Sequence, residues 1–196
     1  PNMHQTEDFD RDEHGLHEFA VTERHGFAFV SLEASPPSID HWLGDFGVIH
    51  ARWDLASLVT TRRREFTVDC NWKEFAEVFN EYYHLPYVHP GSIDDTYNDP
   101  DEPEEVVGAW ATHSGTTQGT GGLLEADQAK ALPRIGALTD READSVRYSW
   151  LHPTLVIATG AEGMWMYEVY PDGPNRCRCA QVVCFPPETV ALDRFA

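Results

Sequence analysis

His84 and His89 stand five residues apart near the end of the stretch from Asn71 to Pro90, and Glu81 precedes the first of them by three. Neutral imidazole nitrogens are ligands for a divalent transition metal, and a carboxylate on the far ring nitrogen orients such a ligand from behind. On an unbroken helix a five-residue step turns about 500°, which leaves the two rings about 140° apart around the axis. Pro86 lies between them. It ends the helix, so the chain can turn and bring His89 back toward His84. Glu81, on the same helix face as His84, is within reach of one of its ring nitrogens. Spacing alone leaves a second reading open: a helix C-terminus, where histidine favours the dipole, followed by an ordinary loop histidine. The His-Glu-x-x-His pattern of zinc proteases, which keeps both ligands on one helix, is absent.

The elements that must position these residues can be read from periodicity. Trp72, Phe75, Ala76, Phe79, Tyr82 and Tyr83 recur at three- and four-residue steps, which predicts a helix from Asn71 to Tyr83. Before it, Glu18–Thr22 and Gly26–Leu32 read as two strands around the turn Glu23-Arg24-His25. Residues 38–47 allow a short helix capped by Ser38, and the β-branched run Thr60–Val68 reads as a strand. Its arginines either meet a partner or offset the acidic surface. After the helix, seven of the twelve residues from Asp94 to Glu105 are carboxylates, and Ser114–Gly122 is glycine-rich. Crowded like charge and glycine predict a mobile lid over Asp94–Gly122, and the acidic run lacks the glycine turn of a calcium loop. Short helices are expected in 123–145. Tyr148–Thr159, Met164–Tyr170 and Arg176–Phe185 read as three strands of an antiparallel meander. In the second of these, Trp165, Tyr167 and Val169 share one face, turned to core or pocket, where aromatic rings could cage a quaternary ammonium group. Strands at both ends with a helix between them predict an α+β domain whose sheet curls around the helix.

Composition removes several classes of function. The chain carries 14 Lys and Arg against 33 Asp and Glu, a formal charge of −19, which opposes binding to phosphate backbones or anionic membranes. No apolar run approaches the roughly 18 residues of a membrane helix, and the polar, acidic start is not signal-like. Cys70, Cys177, Cys179 and Cys184 contain no Cys-x-x-Cys or Cys-x-His, so neither a zinc ribbon nor a Cys/His iron–sulfur site can be written. Cys177 and Cys179, two apart on a strand face, do not suit a mutual disulfide. A reducing, cytoplasmic setting is expected. The chain opens on Pro1 and stops at Ala196 in what reads as mid-element, which predicts a single, truncated domain over 1–196. His14 and His17 read as an exposed polar pair.

The whole string resembles the mononuclear iron site of the Rieske-type non-haem iron oxygenases (ring-hydroxylating oxygenases), in their large (α) subunits. Asn71-Trp72-Lys73 opens it, and Glu81, Tyr83-His84, Pro86 and His89-Pro90 follow in the family's order. The strand Gly26–Leu32 before it, and Trp150–Pro153 with the hairpins up to Phe185-Pro186-Pro187 after it, extend the resemblance over most of the chain. It implies that His84 and His89 ligate Fe(II), and that Glu81 links this site to a neighbouring subunit's cluster. Asn71, Trp72 and Lys73 would be structural. The implied fold is helix-grip (Bet v1/START-like), an antiparallel sheet curled around a long helix.

Three departures accompany the resemblance. The family's cluster motifs, Cys-x-His and Cys-x-x-His, are absent, so a [2Fe-2S] Rieske cluster is expected only from another domain or partner chain. The third iron ligand, an Asp, is expected beyond Ala196, because Asp193 follows Phe185-Pro186-Pro187 too soon. Val78 stands where many members carry Asn. The expected activity is O2-dependent hydroxylation or oxidative demethylation of a small aromatic or quaternary ammonium substrate. Expected partners are a Rieske domain, a reductase or ferredoxin donor, and further copies of the chain, without nucleic acid or membrane. This polypeptide alone is expected to show no turnover. The competing reading is a helix-grip small-molecule-binding module without redox activity, its histidines serving as polar anchors.

Overall fold

In the meander at the end of the chain each strand pairs with its sequence neighbour, as turn-separated apolar runs do most readily. The computed structural model describes residues 7, 9–94, 97–102, 104–117 and 119–195. Strands β4 (Tyr97–Pro100), β5 (Trp110–Thr117), β6 (Ser145–Leu151), β7 (Leu155–Thr159), β8 (Met164–Pro171) and β9 (Cys177–Phe185) lie side by side in chain order. The earlier β3 (Val59–Val68) closes the far edge against β9, giving one antiparallel sheet of order β3-β9-β8-β7-β6-β5-β4. A separate hairpin pairs β1 (Ala20–Arg24) with β2 (Phe27–Ser31) around His25-Gly26.

Both faces of the sheet are covered. On β8, Met164 and Met166 face a layer containing Leu43, Phe46, Trp53 and Trp110. Trp165, Tyr167 and Val169 face the opposite way, toward helix α3 (Trp72–Phe79) and the turn after it. The first layer is built from α1 (Ile39–Leu43), which Ser38 caps by accepting the His41 N–H at 3.2 Å, and α2 (Phe46–Ile49). Between these helices Gly44 has φ +53°, and a Cβ there would sit 1.9 Å from the Val107 carbonyl oxygen. Only glycine fits.

Four expectations are corrected. The run Tyr148–Thr159 is two strands, β6 and β7, folded at His152-Pro153-Thr154; β7 is buried on both faces, so no alternation marks its limits. The helix ends at Phe79, four residues before Tyr83. Pro86 does not end a helix but opens one, in the first turn of α4 (Leu85–Val88), where its missing N–H leaves no intrahelical bond unmade. Finally, Trp110–Thr117 is a largely buried strand and not part of a lid. Within Asp94–Gly122, residues 95, 96, 103 and 118 lie outside the described residues. The acidic run is also partly neutralised. Glu104 forms a two-bond ion pair with Arg147 at 2.9 Å, and Asp101 accepts from Thr116 and faces Arg141 at 3.5 Å.

The four cysteines are free, with Cys177 Sγ 3.7 Å from Cys179 Sγ and 4.0 Å from Cys70 Sγ. Arg63 pairs with Glu168 across the sheet at 2.9 Å, so this member of the basic run offsets acidic charge. No helix among the described residues is long and apolar enough to cross a membrane. His14 and His17 are exposed.

Candidate functional site

Asn71 fixes the start of α3 twice. Its side-chain oxygen accepts the Lys73 N–H at 3.0 Å, and its amide donates to the Pro174 carbonyl at 2.8 Å. The helix is thereby held to the β8–β9 turn, with Phe75, Ala76 and Phe79 against the sheet. At its C-terminus Asn80 donates its N–H to the Glu77 carbonyl at 2.9 Å, and residues 81–84 turn into α4. His84 is the N-cap of that single turn and His89 its C-cap. This short helix brings the two rings into contact, with centroids 5.4 Å apart and planes at 73°. The convergence expected from the sequence is present, although a second helix produces it and not a bare turn.

Glu81 lies in the turn before α4, outside α3, and still reaches His84. One carboxylate oxygen accepts the His84 backbone N–H at 3.2 Å, and the other takes a short hydrogen bond from ring Nδ1. A carboxylate at Nδ1 holds the proton there and leaves Nε2 its lone pair, the tautomer a metal requires. Two convergent imidazoles, one fixed in its ligand form, fit two places in a divalent-metal coordination set. Among the described residues no group of three His, Cys, Asp or Glu side chains completes it. Asp193 lies in the turn Asp193–Phe195 and does not line the cavity.

Glu81, His84 and His89 line a cavity of about 600 Å³. Its other walls are aromatic: Phe75 and Phe79 from α3, Tyr82, Tyr148 from β6, and Trp165 and Tyr167 from β8. Edge-to-face contacts hold them, Phe79 touching both Tyr148 at 5.3 Å and Tyr167 at 5.4 Å. Tyr167 is further set by Gln181, whose amide donates to the phenol oxygen at 2.9 Å. Cys70, Glu74 and Val78 also contribute, Val78 adding an apolar isopropyl group. Its volume suits a small organic ligand.

His113 on β5 is the wall residue that sequence reasoning missed. Its ring stacks on Tyr148 with centroids 5.2 Å apart and meets the edge of Tyr82 at 5.0 Å. Burial pushes its pKa down to about 4, with Glu81 opposing the shift and Arg147 adding to it. The imidazole is therefore neutral at pH 7. Its Nε2 is buried and has no hydrogen-bond partner among the described residues. Recognising Trp110–Thr117 as a strand would have turned His113 toward the helix.

Residues 52–196 match the family described as the ring hydroxylating alpha subunit, catalytic domain. The chain belongs to that family. It is 35% identical over 99 residues to the glycine betaine monooxygenase oxygenase subunit of Chromohalobacter salexigens, an alignment covering 50% of this chain and 22% of the relative. It is 26% identical to chloroplastic choline monooxygenase of Beta vulgaris, over 96% of this chain and 40% of the relative. The chain thus spans well under half the length of these curated relatives. Among solved structures, a quaternary ammonium Rieske monooxygenase superposes with a TM-score of 0.71 at 17% identity, covering 94% of this chain and 47% of the other. Naphthalene 1,2-dioxygenase from Rhodococcus sp. bound to indole gives 0.66 at 16% identity, covering 90% and 46%. The fold is that of these catalytic domains, an α+β helix-grip sheet, as expected.

Proposed function

We propose that this chain is the catalytic domain of a mononuclear non-haem iron oxygenase, with His84 and His89 as two protein ligands of Fe(II). The observation that carries this reading is the contact of the two imidazoles beside the cavity, with Glu81 bonded to the back of one of them. Fe(II) held there by His84 and His89 would supply the O2-activating redox chemistry, its electrons coming from a Rieske [2Fe-2S] cluster of another domain or chain. Glu81 keeps the proton on Nδ1 of His84 and anchors the turn that presents the ring. It is also partly exposed, which suits a link to a partner's cluster within an oligomer. The aromatic walls would exclude water and hold a small organic substrate for hydroxylation or oxidative demethylation. The relatives' names and the ring-lined cavity together favour a quaternary ammonium substrate over an aromatic one.

The test is anaerobic loading of the full-length protein with Fe(II), followed by metal analysis. About one iron per mononuclear site is expected in addition to any cluster iron, and His84→Ala and His89→Ala should each lose it while keeping their circular dichroism. A wild-type protein that takes up no mononuclear iron but binds small organic cations would favour the ligand-binding module.

A further inference from the structure

We infer that the cavity selects a net cation, a quaternary or methylated ammonium compound bearing an uncharged polar group, against a zwitterion, and that Glu74 imposes this choice. The inference rests on the oxygenase reading above and narrows its substrate. The aromatic walls alone do not discriminate: a ring face attracts an onium group whatever the far end of the molecule carries. Fe(II) held by His84 and His89 would attract a carboxylate, so discrimination against one must come from the charged residues of the lining. Among the described lining residues these are Glu74 and Glu81, with no Lys or Arg. Glu81 is committed to His84. Glu74 is exposed, lines the cavity, and has no ion-pair or hydrogen-bond partner among the described residues.

Glu74 lies in the first turn of α3, the helix that carries Phe75 and Phe79 into the lining. A substrate cation entering past it is attracted. A substrate carboxylate is repelled by Glu74 and finds no guanidinium or ammonium among the described lining residues. A hydroxyl group, in contrast, is served by neutral groups on the walls. Tyr167 has its phenol hydrogen free to donate, since the oxygen accepts from Gln181, and the His113 ring offers further uncharged hydrogen bonding. The relatives by name act on both kinds of compound, glycine betaine being a zwitterion and choline a cation. On this argument the present cavity takes the choline kind.

The experiment measures binding of three probes of similar shape to the full-length, iron-loaded protein by tryptophan fluorescence or calorimetry. These are choline, glycine betaine and 3,3-dimethylbutan-1-ol, an uncharged analogue of choline. Choline should bind roughly tenfold more tightly than glycine betaine at low salt, with the neutral alcohol between them. Glu74→Gln should reduce that ratio to roughly two- or threefold, and Glu74→Lys should abolish or invert it. Glycine betaine binding as tightly as choline, or a ratio unmoved in Glu74→Gln, would overturn the inference. So would iron-loaded protein that binds none of the probes. Iron content measured on the same samples separates the two proposals. Full iron with no cation preference sinks the selectivity argument alone, whereas cation binding without mononuclear iron sinks the oxygenase reading.

Discussion

Lowering the pH from 7.5 to 4.5 should cost this domain stability through one histidine that has no part in the proposed chemistry. His50 is only 2% exposed, in the layer on the sheet face opposite the cavity, stacked on Phe46 at 4.2 Å. Its Nδ1 donates to the Phe46 carbonyl at 3.0 Å, so Nε2 is left to accept the Ser149 hydroxyl at 3.1 Å. Burial is the largest influence and pushes its pKa from 6.5 down to about 3; the Phe46 bond opposes this, and Arg147 and His25 add to it. In the fold the ring stays neutral, whereas the unfolded chain binds a proton below about pH 6.5. The unfolded state therefore gains as pH falls. The loss begins near pH 6.5 and continues to about pH 3, at about 1.4 kcal/mol per pH unit. Between pH 7.5 and 4.5 His50 alone should remove about 2.7 kcal/mol. Urea unfolding of wild type and His50→Gln at both pH values isolates this amount, since His113 and the carboxylates contribute to both proteins. The wild type should lose about 2–3 kcal/mol more than the variant over that interval. Equal losses would refute the claim that His50 is held neutral by burial.

Three further outcomes can be measured. Glu81→Ala should weaken Fe(II) binding by roughly 10–100-fold in a competitive-chelator titration, because the ligand ring loses its orienting partner; unchanged affinity would detach Glu81 from the metal. Gly44→Ala should destabilise by at least about 2 kcal/mol in chemical denaturation, since the left-handed backbone and the Val107 carbonyl leave no room for a methyl group. Burial raises the pKa of all four thiols, so at pH 8 a thiol reagent should react slowly with half-buried Cys70 and with the other three only on unfolding. Rapid modification of several cysteines in the native protein would contradict the packing of β9.

The parts of the fold that were legible in the sequence are those in which one local rule acts alone. Ser38 caps α1 as its residue type requires, and the first hairpin forms from the two runs expected, with its turn shifted from Glu23-Arg24-His25 to His25-Gly26. The parts that were not legible are those in which a local signal has two meanings. Proline stops a helix from inside but is at home in its first turn, and nothing near Pro86 distinguishes the two cases. β7 shows no alternation because tertiary packing covers both its faces. In β5, Ser114 and Gly115 have poor strand propensity, but pairing with β6 on one side and β4 on the other decides their state. That misreading concealed His113. The approach of His84 to His89 was legible because it needs only a break in the helix between them, whatever the exact backbone that supplies it.

Charge accounts for how these pieces come together at the cavity. With 14 cationic residues against 33 acidic ones, cations are scarce, and several arginines are each set against a carboxylate. Arg147 is largely buried and ties Glu104 to the sheet, Arg63 ties Glu168, Arg52 faces Glu142 at 3.1 Å, and Arg24 faces Asp40 at 2.6 Å. None of these arginines lines the cavity. The described lining contains none, while its two carboxylates, Glu74 and Glu81, lie on α3 and in the turn that follows it. Low-dielectric aromatic walls concentrate the field of such charges instead of dispersing it in water. The charged side chains of the described lining are therefore acidic, while burial keeps the His113 ring neutral. Such a lining attracts cations, and its acidic and imidazole groups all lie on one short segment, Glu74 to His89, apart from His113 on β5.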